Sequence, residues 1–164
     1  MTQAELLADT LDRTRGLTRY YTSLLRETNP EAQIDVNGIK LNSLYWLIAH
    51  LIWAEDNLAV QMTGGQSVAP EWAEKYCINS NGILHEGRPD FKTLLAELKR
   101  VHEASLAHIR QLTDEDLAQP NPAGMHFGDG DTSRRVMIQH AIRHEGTHVG
   151  HLGWLCKLQG IKGV

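Results

Sequence analysis

The stretch Gln139-His140-Ala141-Ile142-Arg143-His144-Glu145-Gly146-Thr147-His148-Val149-Gly150-His151-Leu152-Gly153-Trp154-Leu155-Cys156-Lys157-Leu158 decides how the chain is read. Taken in steps of three and four, with Met137 before it, it gives one stripe: Met137, Ala141, His144, His148, His151, Leu155 and Leu158. That is the core-facing seam of a helix, where Leu, Ile or Val normally sits. Here the middle knobs are imidazoles. Burying a polar ring without a partner costs roughly 1–3 kcal/mol, so this seam needs something to offset that cost. His144 and His148, at i and i+4, lie one above the other on a helix face, a spacing that lets both bind one cation.

Working outward, His151 lies about 10 Å along the axis from His144 at the usual rise per residue, too far for one ion to take all three from a straight helix. A third ligand must come from another helix, and His50 is the leading candidate. It interrupts Leu44–Ala54, which is otherwise apolar on every side; a helix apolar all round is packed on more than one side, so His50 is expected to be buried. Trp46 and Trp53 flank it at i−4 and i+3. The candidate metal ligands are therefore His50, His144 and His148. Three neutral imidazoles leave open coordination positions, the arrangement of a catalytic rather than a structural site. The competing reading is a polar seam satisfied by cross-helix hydrogen bonds and buried water. Of the other histidines, His140 and His151 are pocket groups, His102 lies on a flank of the third helix and His108 in its seam, and His85 and His126 lie in loops at the surface.

Four amphipathic helices account for most of the chain. Thr2-Gln3-Ala4-Glu5 has the form of a capping box and opens a first helix from about residue 3 to 28, closed by Asn29-Pro30. A connection with the turn signal Asn37-Gly38 leads to a second helix, capped by Asn42 or Ser43 and running to about Met62. Residues 63–89 lack helical periodicity and read as a crossover anchored by Trp72 and Tyr76. Pro89-Asp90 introduces a third helix with the seam Phe91, Leu94, Leu98, Val101, Ser105, His108 and Leu112. A polar connection, 113–131, precedes the last helix, capped by Asp131, Thr132 or Ser133 and ended by Gly160. The fold class is all-α: a single four-helix-bundle domain over 1–164 whose long crossover lets helices 2 and 3 run parallel. The two long connections are the expected walls of a cavity.

The charge balance, −4 with Lys and Arg scattered, excludes a nucleic-acid footprint. The longest apolar runs are far too short to span a bilayer. The N-terminus has no signal-peptide core, and Cys77 and Cys156 read as reduced thiols, so the expected location is cytoplasmic.

His144-Glu145-x-x-His148 matches H-E-x-x-H, which in metalloproteases supplies two ligands and a general base. Those enzymes need a further ligand downstream. Only sixteen residues follow His148, none of them Asp or Glu, and Glu145 lies off the histidine stripe. The chain is not read as a protease.

Two motifs in order, Asn42-Ser43-x-x-Trp46-x-x-x-His50 and His140-x-x-x-His144-Glu145-x-x-His148-x-Gly150, resemble the DinB-like (DNA-damage-inducible, YfiT-like) superfamily. The resemblance covers nearly the whole chain in element order. It implies a down-up-up-down bundle and one divalent ion, zinc or nickel, on His50, His144 and His148 by motif match. It also implies thiol S-transfer with a low-molecular-weight thiol of the bacillithiol, mycothiol or glutathione type and a small electrophile, with homodimers common. Metal-dependent hydrolysis and a non-enzymatic, metal-binding stress-response bundle are the alternatives. No residue is assigned a catalytic role; His140, His151 and Glu55 are candidate proton carriers. His151 stands where the family often has Gln, a departure that bears on the groups around the last ligand.

Overall fold

A computed structural model describes residues 1–80, 82–128 and 130–163. The long helices are α1 (Gln3–Leu24), α2 (Leu44–Glu55), α3 (Phe91–Gln111) and α5 (Arg134–Leu158), with a short α4 (Asp114–Ala118). Each long helix begins at a side-chain cap. Thr2 and Glu5 form the capping box of α1, and Ser43, Asp90 and Ser133 cap α2, α3 and α5 through their side-chain oxygens. All of α2 except Trp53 is buried, as its apolar circumference requires.

Cross-helix contacts fix the directions. Gln3 meets Arg135, Thr18 meets Glu145 and Tyr21 lies against Gly153, so α1 and α5 run parallel. Tyr45 meets Phe91 and Glu55 meets His102, so α2 and α3 run parallel. Asp9 pairs with Arg110, which sets α1 against α3, and His50 meets His144, on the α2–α5 face. The order around the bundle is α1–α5–α2–α3, in the down-up-up-down sense.

Several connections differ from their sequence reading. The first α-helix stops at Leu24, because Thr28 N turns back to Leu25 O at 3.0 Å before Asn29-Pro30. The Asn37-Gly38 turn closes a small antiparallel hairpin, β1 (Asp35–Val36) with β2 (Ile39–Lys40), both turn residues having positive φ (53° and 85°) as a twisted two-residue turn demands. The second helix continues through a π-helical turn, Asp56–Val60, and a 3₁₀ turn, Gln61–Thr63, to Gly64 in the left-handed region at φ 93°. The crossover contains a 3₁₀ helix, Glu71–Tyr76. Cys77 and Cys156 are free thiols. Among the described residues no helix is long and apolar enough to cross a membrane.

The core has two apolar clusters with a polar waist between them. One gathers Leu25, Leu44–Leu47, Leu94, Leu98 and Leu152; the other Ala4, Ala8, Leu11, Leu58, Ile109 and Met137. Following each helix from one cluster to the other crosses polar positions: Arg15 and Thr18 on α1, His50 and Glu55 on α2, His102 and Ser105 on α3, Glu145 and His148 on α5. All eight are buried.

Candidate metal centre

His50, His144 and His148 converge on the α2–α5 side of the waist. Each can offer one ligand atom, and these atoms lie within 4.8 Å of one another. The Nε2 of His50 is 3.1 Å from that of His144, and the Nε2 of His148 is 3.3 Å from the same atom. Those separations match the edge of a tetrahedron, about 3.4 Å, for nitrogens at zinc-ligand distance from one ion.

The tautomers sharpen the point. His50 Nδ1 lies 2.7 Å from the carbonyl of Tyr76. A carbonyl only accepts, so Nδ1–H donates and Nε2 carries the lone pair. His148 Nδ1 lies 3.1 Å from Nδ1 of His151, which leaves its Nε2 toward the centre. His144 Nε2 holds at most one proton for two facing nitrogens. A cation would satisfy all three at once.

Packing holds these rings in place. Trp46 stacks on His50 at 4.8 Å and 11°, and Trp53 at 5.6 Å and 29°. The indoles come from α2 itself; the Tyr76 carbonyl comes from the crossover. His50 and His148 are buried, while His144 is partly exposed and gives the centre its open side. Burial keeps the rings neutral: it lowers His50, pushes His144 down to about 4 and His148 to about 3, with the neighbouring imidazoles adding to the last two. Neutral imidazole is the form that binds metal.

The other sequence candidates are placed as follows. Glu145 points away from the histidines: Arg15 Nη2 donates to it at 2.9 Å and Thr18 hydrogen-bonds its other oxygen, so it cannot be a base at the centre. Glu55 is equally engaged, 2.6 Å from Arg15 and 2.8 Å from His102 Nδ1. His102 is buried rather than on a flank, because it bridges Glu55 and Asp12, the latter at 3.0 Å. His151 is exposed and buttresses His148 from outside the seam, and His140 stacks on Phe127 at 3.8 Å. His108 meets the Thr63 hydroxyl at 2.7 Å, His85 lies half-buried against Tyr76, and His126 is exposed. Sequence reasoning missed the Arg15–Glu55–Glu145–His102 network. Its signal was a buried-phase Arg on α1, which cannot be told from a surface Arg without the opposing carboxylates.

A cavity of about 530 Å³ borders His151. Its walls come from the β1–β2 hairpin and the end of α5, including Ile39, Trp154 and Leu158, not from the two long connections. Those connections instead supply the Tyr76 carbonyl and Phe127.

Among solved structures, the chain is similar to a crystal structure described as the conserved protein of locus from Enterococcus faecalis. The TM-score is 0.64 at 16% identity, covering 94% of this chain and 95% of that one, which is a likeness of fold. No curated protein matches the sequence. A family profile described as the DinB superfamily matches residues 8–152, most of the chain and all three converging histidines, and the chain therefore belongs to the DinB superfamily.

Proposed function

We propose that the chain is a metal-dependent thiol S-transferase in which His50, His144 and His148 hold a zinc or nickel ion. Imidazole suits both metals. The observation that carries the reading is the all-imidazole donor set: three nitrogens meet and the group contains no carboxylate. When bound, the ion supplies positive charge, undiminished by its neutral ligands, that keeps a small thiol as thiolate. The thiol loses its S–H proton to solvent, its sulfur forms the S–C bond to an electrophilic carbon, and the leaving group departs with the bonding pair. The balance is thiol plus electrophile to thioether plus protonated leaving group.

The chain's own residues do the positioning. Tyr76 O fixes the tautomer of His50 and His151 orients His148, the kind of outer support that ligating histidines usually need. The apolar cavity beside His151 gives a small electrophile a place to dock. The protease-type general base is missing, since Glu145 is committed to Arg15 and Thr18.

The test is a screen of metal-loaded protein with bacillithiol, mycothiol and glutathione against model electrophiles, beside a casein assay. Metal-dependent thiol consumption, lost in His144→Ala, is the expected result. Peptide cleavage without thiol consumption would refute the proposal.

A further inference from the structure

A second cavity, of about 650 Å³, opens between α1 and α3, on the face opposite the histidines. Its size falls within the roughly 300–1,000 Å³ of small-molecule sites. We propose that it binds a small organic acid with an apolar body.

Three observations carry this. The first is charge. Arg19, Arg26, Lys92 and Lys99 rim the cavity beside the acidic Glu103, while the buried Arg15 is met by Glu55 and Glu145. The rim cations are the part of the lining that an anion can approach from solvent. Their ion pairs, Arg19–Asp12 at 2.8 Å, Arg26–Glu27 at 3.1 Å and Lys99–Glu103 at 3.8 Å, are largely exposed, so water and a ligand compete with them easily.

The second is a pair of unsatisfied donors. Thr22 is 8% exposed and Arg15 1%, both line the cavity, and neither the Thr22 hydroxyl nor Arg15 Nη1 finds a hydrogen-bond partner among the described residues. Buried donors are rarely left unmet. A carboxylate only accepts, so it suits either donor.

The third is the wall. Phe91, Leu95 and Leu98 give the cavity an apolar side. A fully hydrated inorganic anion would leave that side uncovered; an alkyl or aryl carboxylate covers it. Charged rim, orphaned donors and apolar wall are the parts of a site that reads one polar group and buries the rest of its ligand.

The probe is octanoate, titrated calorimetrically into the metal-loaded protein, with octyltrimethylammonium as the matched cation. Octanoate should saturate with a Kd below about 1 mM, and the cation should not bind. Thr22→Val keeps the side chain's shape and removes the hydroxyl. It should weaken octanoate about five-fold without lowering the melting temperature, since no existing hydrogen bond is lost. Lys92→Glu, at an exposed position, should weaken it about ten-fold. Leu95→Trp should fill the cavity and abolish binding. Absence of saturation, equal binding of the cation, or affinity unchanged in all three variants would overturn the proposal; the last would place the carboxylate elsewhere, on the metal or beside His151.

Discussion

Arg15 is 1% exposed and stands between two buried carboxylates, 2.6 Å from Glu55 and 2.9 Å from Glu145. Burial opposes its charge, but Glu145 and Glu55 outweigh that and hold it protonated. Removing one member of such a network strands the others. Arg15→Leu should cost about 3–5 kcal/mol in urea unfolding, whereas a loss under about 1 kcal/mol would mean that the network contributes little. Burial also pushes the Glu55 carboxyl up, yet Arg15 and then His102 more than reverse it, so it ionises below the ordinary 4.5. The sign follows from linkage: the unfolded chain takes the proton first, so Glu55 contributes its stability above about pH 4.5 and loses it as pH falls through the lowered folded value. Glu55→Gln should therefore melt below wild type at neutral pH, with the gap narrowing in acid. A constant gap from pH 7 to about 3 would contradict the assignment. The three histidines were legible in the sequence because apolar neighbours made them conspicuous. Glu145 was half legible: its phase showed that it left the metal stripe, but its partner on α1 is 130 residues away.

The π-helical turn Asp56–Val60 is where α2 hands over to the crossover. Such turns concentrate at functional sites. Asp56 is buried there and accepts from Val68 N at 2.7 Å, Ser67 Oγ at 2.8 Å and Gln61 Nε2 at 2.7 Å. It thereby ties down the segment that delivers the Tyr76 carbonyl to His50. Asp56→Ala should cost about 1–3 kcal/mol, from buried donors left unmet. It should also speed limited proteolysis within 64–76 and weaken metal binding. Unchanged cleavage would show that Trp72 and Tyr76 hold the crossover alone. At this scale the four long helices were readable from caps and periodicity. The π turn was not, since an extra residue in one turn leaves no compositional mark. The 3₁₀ helix and α4 were too short for periodicity to register, and the hairpin showed only its Asn37-Gly38 turn.

For the whole molecule, the polar waist sets what metal does to stability. Its two apolar clusters pack the ends of the bundle; the middle joins through Arg15 on one side and the converging histidines on the other. With ligands from α2 and α5 assembled only in the folded chain, an ion at a hundredfold excess over its Kd should add about 2.7 kcal/mol, and chelation should lower the melting temperature. Coincident apo and holo melts would show that the ion does not bridge the helices. The charge of −4, with Lys and Arg scattered along the chain, should leave plain duplex DNA unbound at physiological salt. Micromolar, salt-dependent binding would contradict that. The most direct measurement is elemental analysis of wild type and His50→Ala after equilibration with zinc or nickel and removal of free metal. Wild type should retain about one ion per chain and His50→Ala close to none, because a pair on α5 alone lacks the cross-helix ligand. Equal metal content in the two proteins would take His50 out of the centre and with it the central claim.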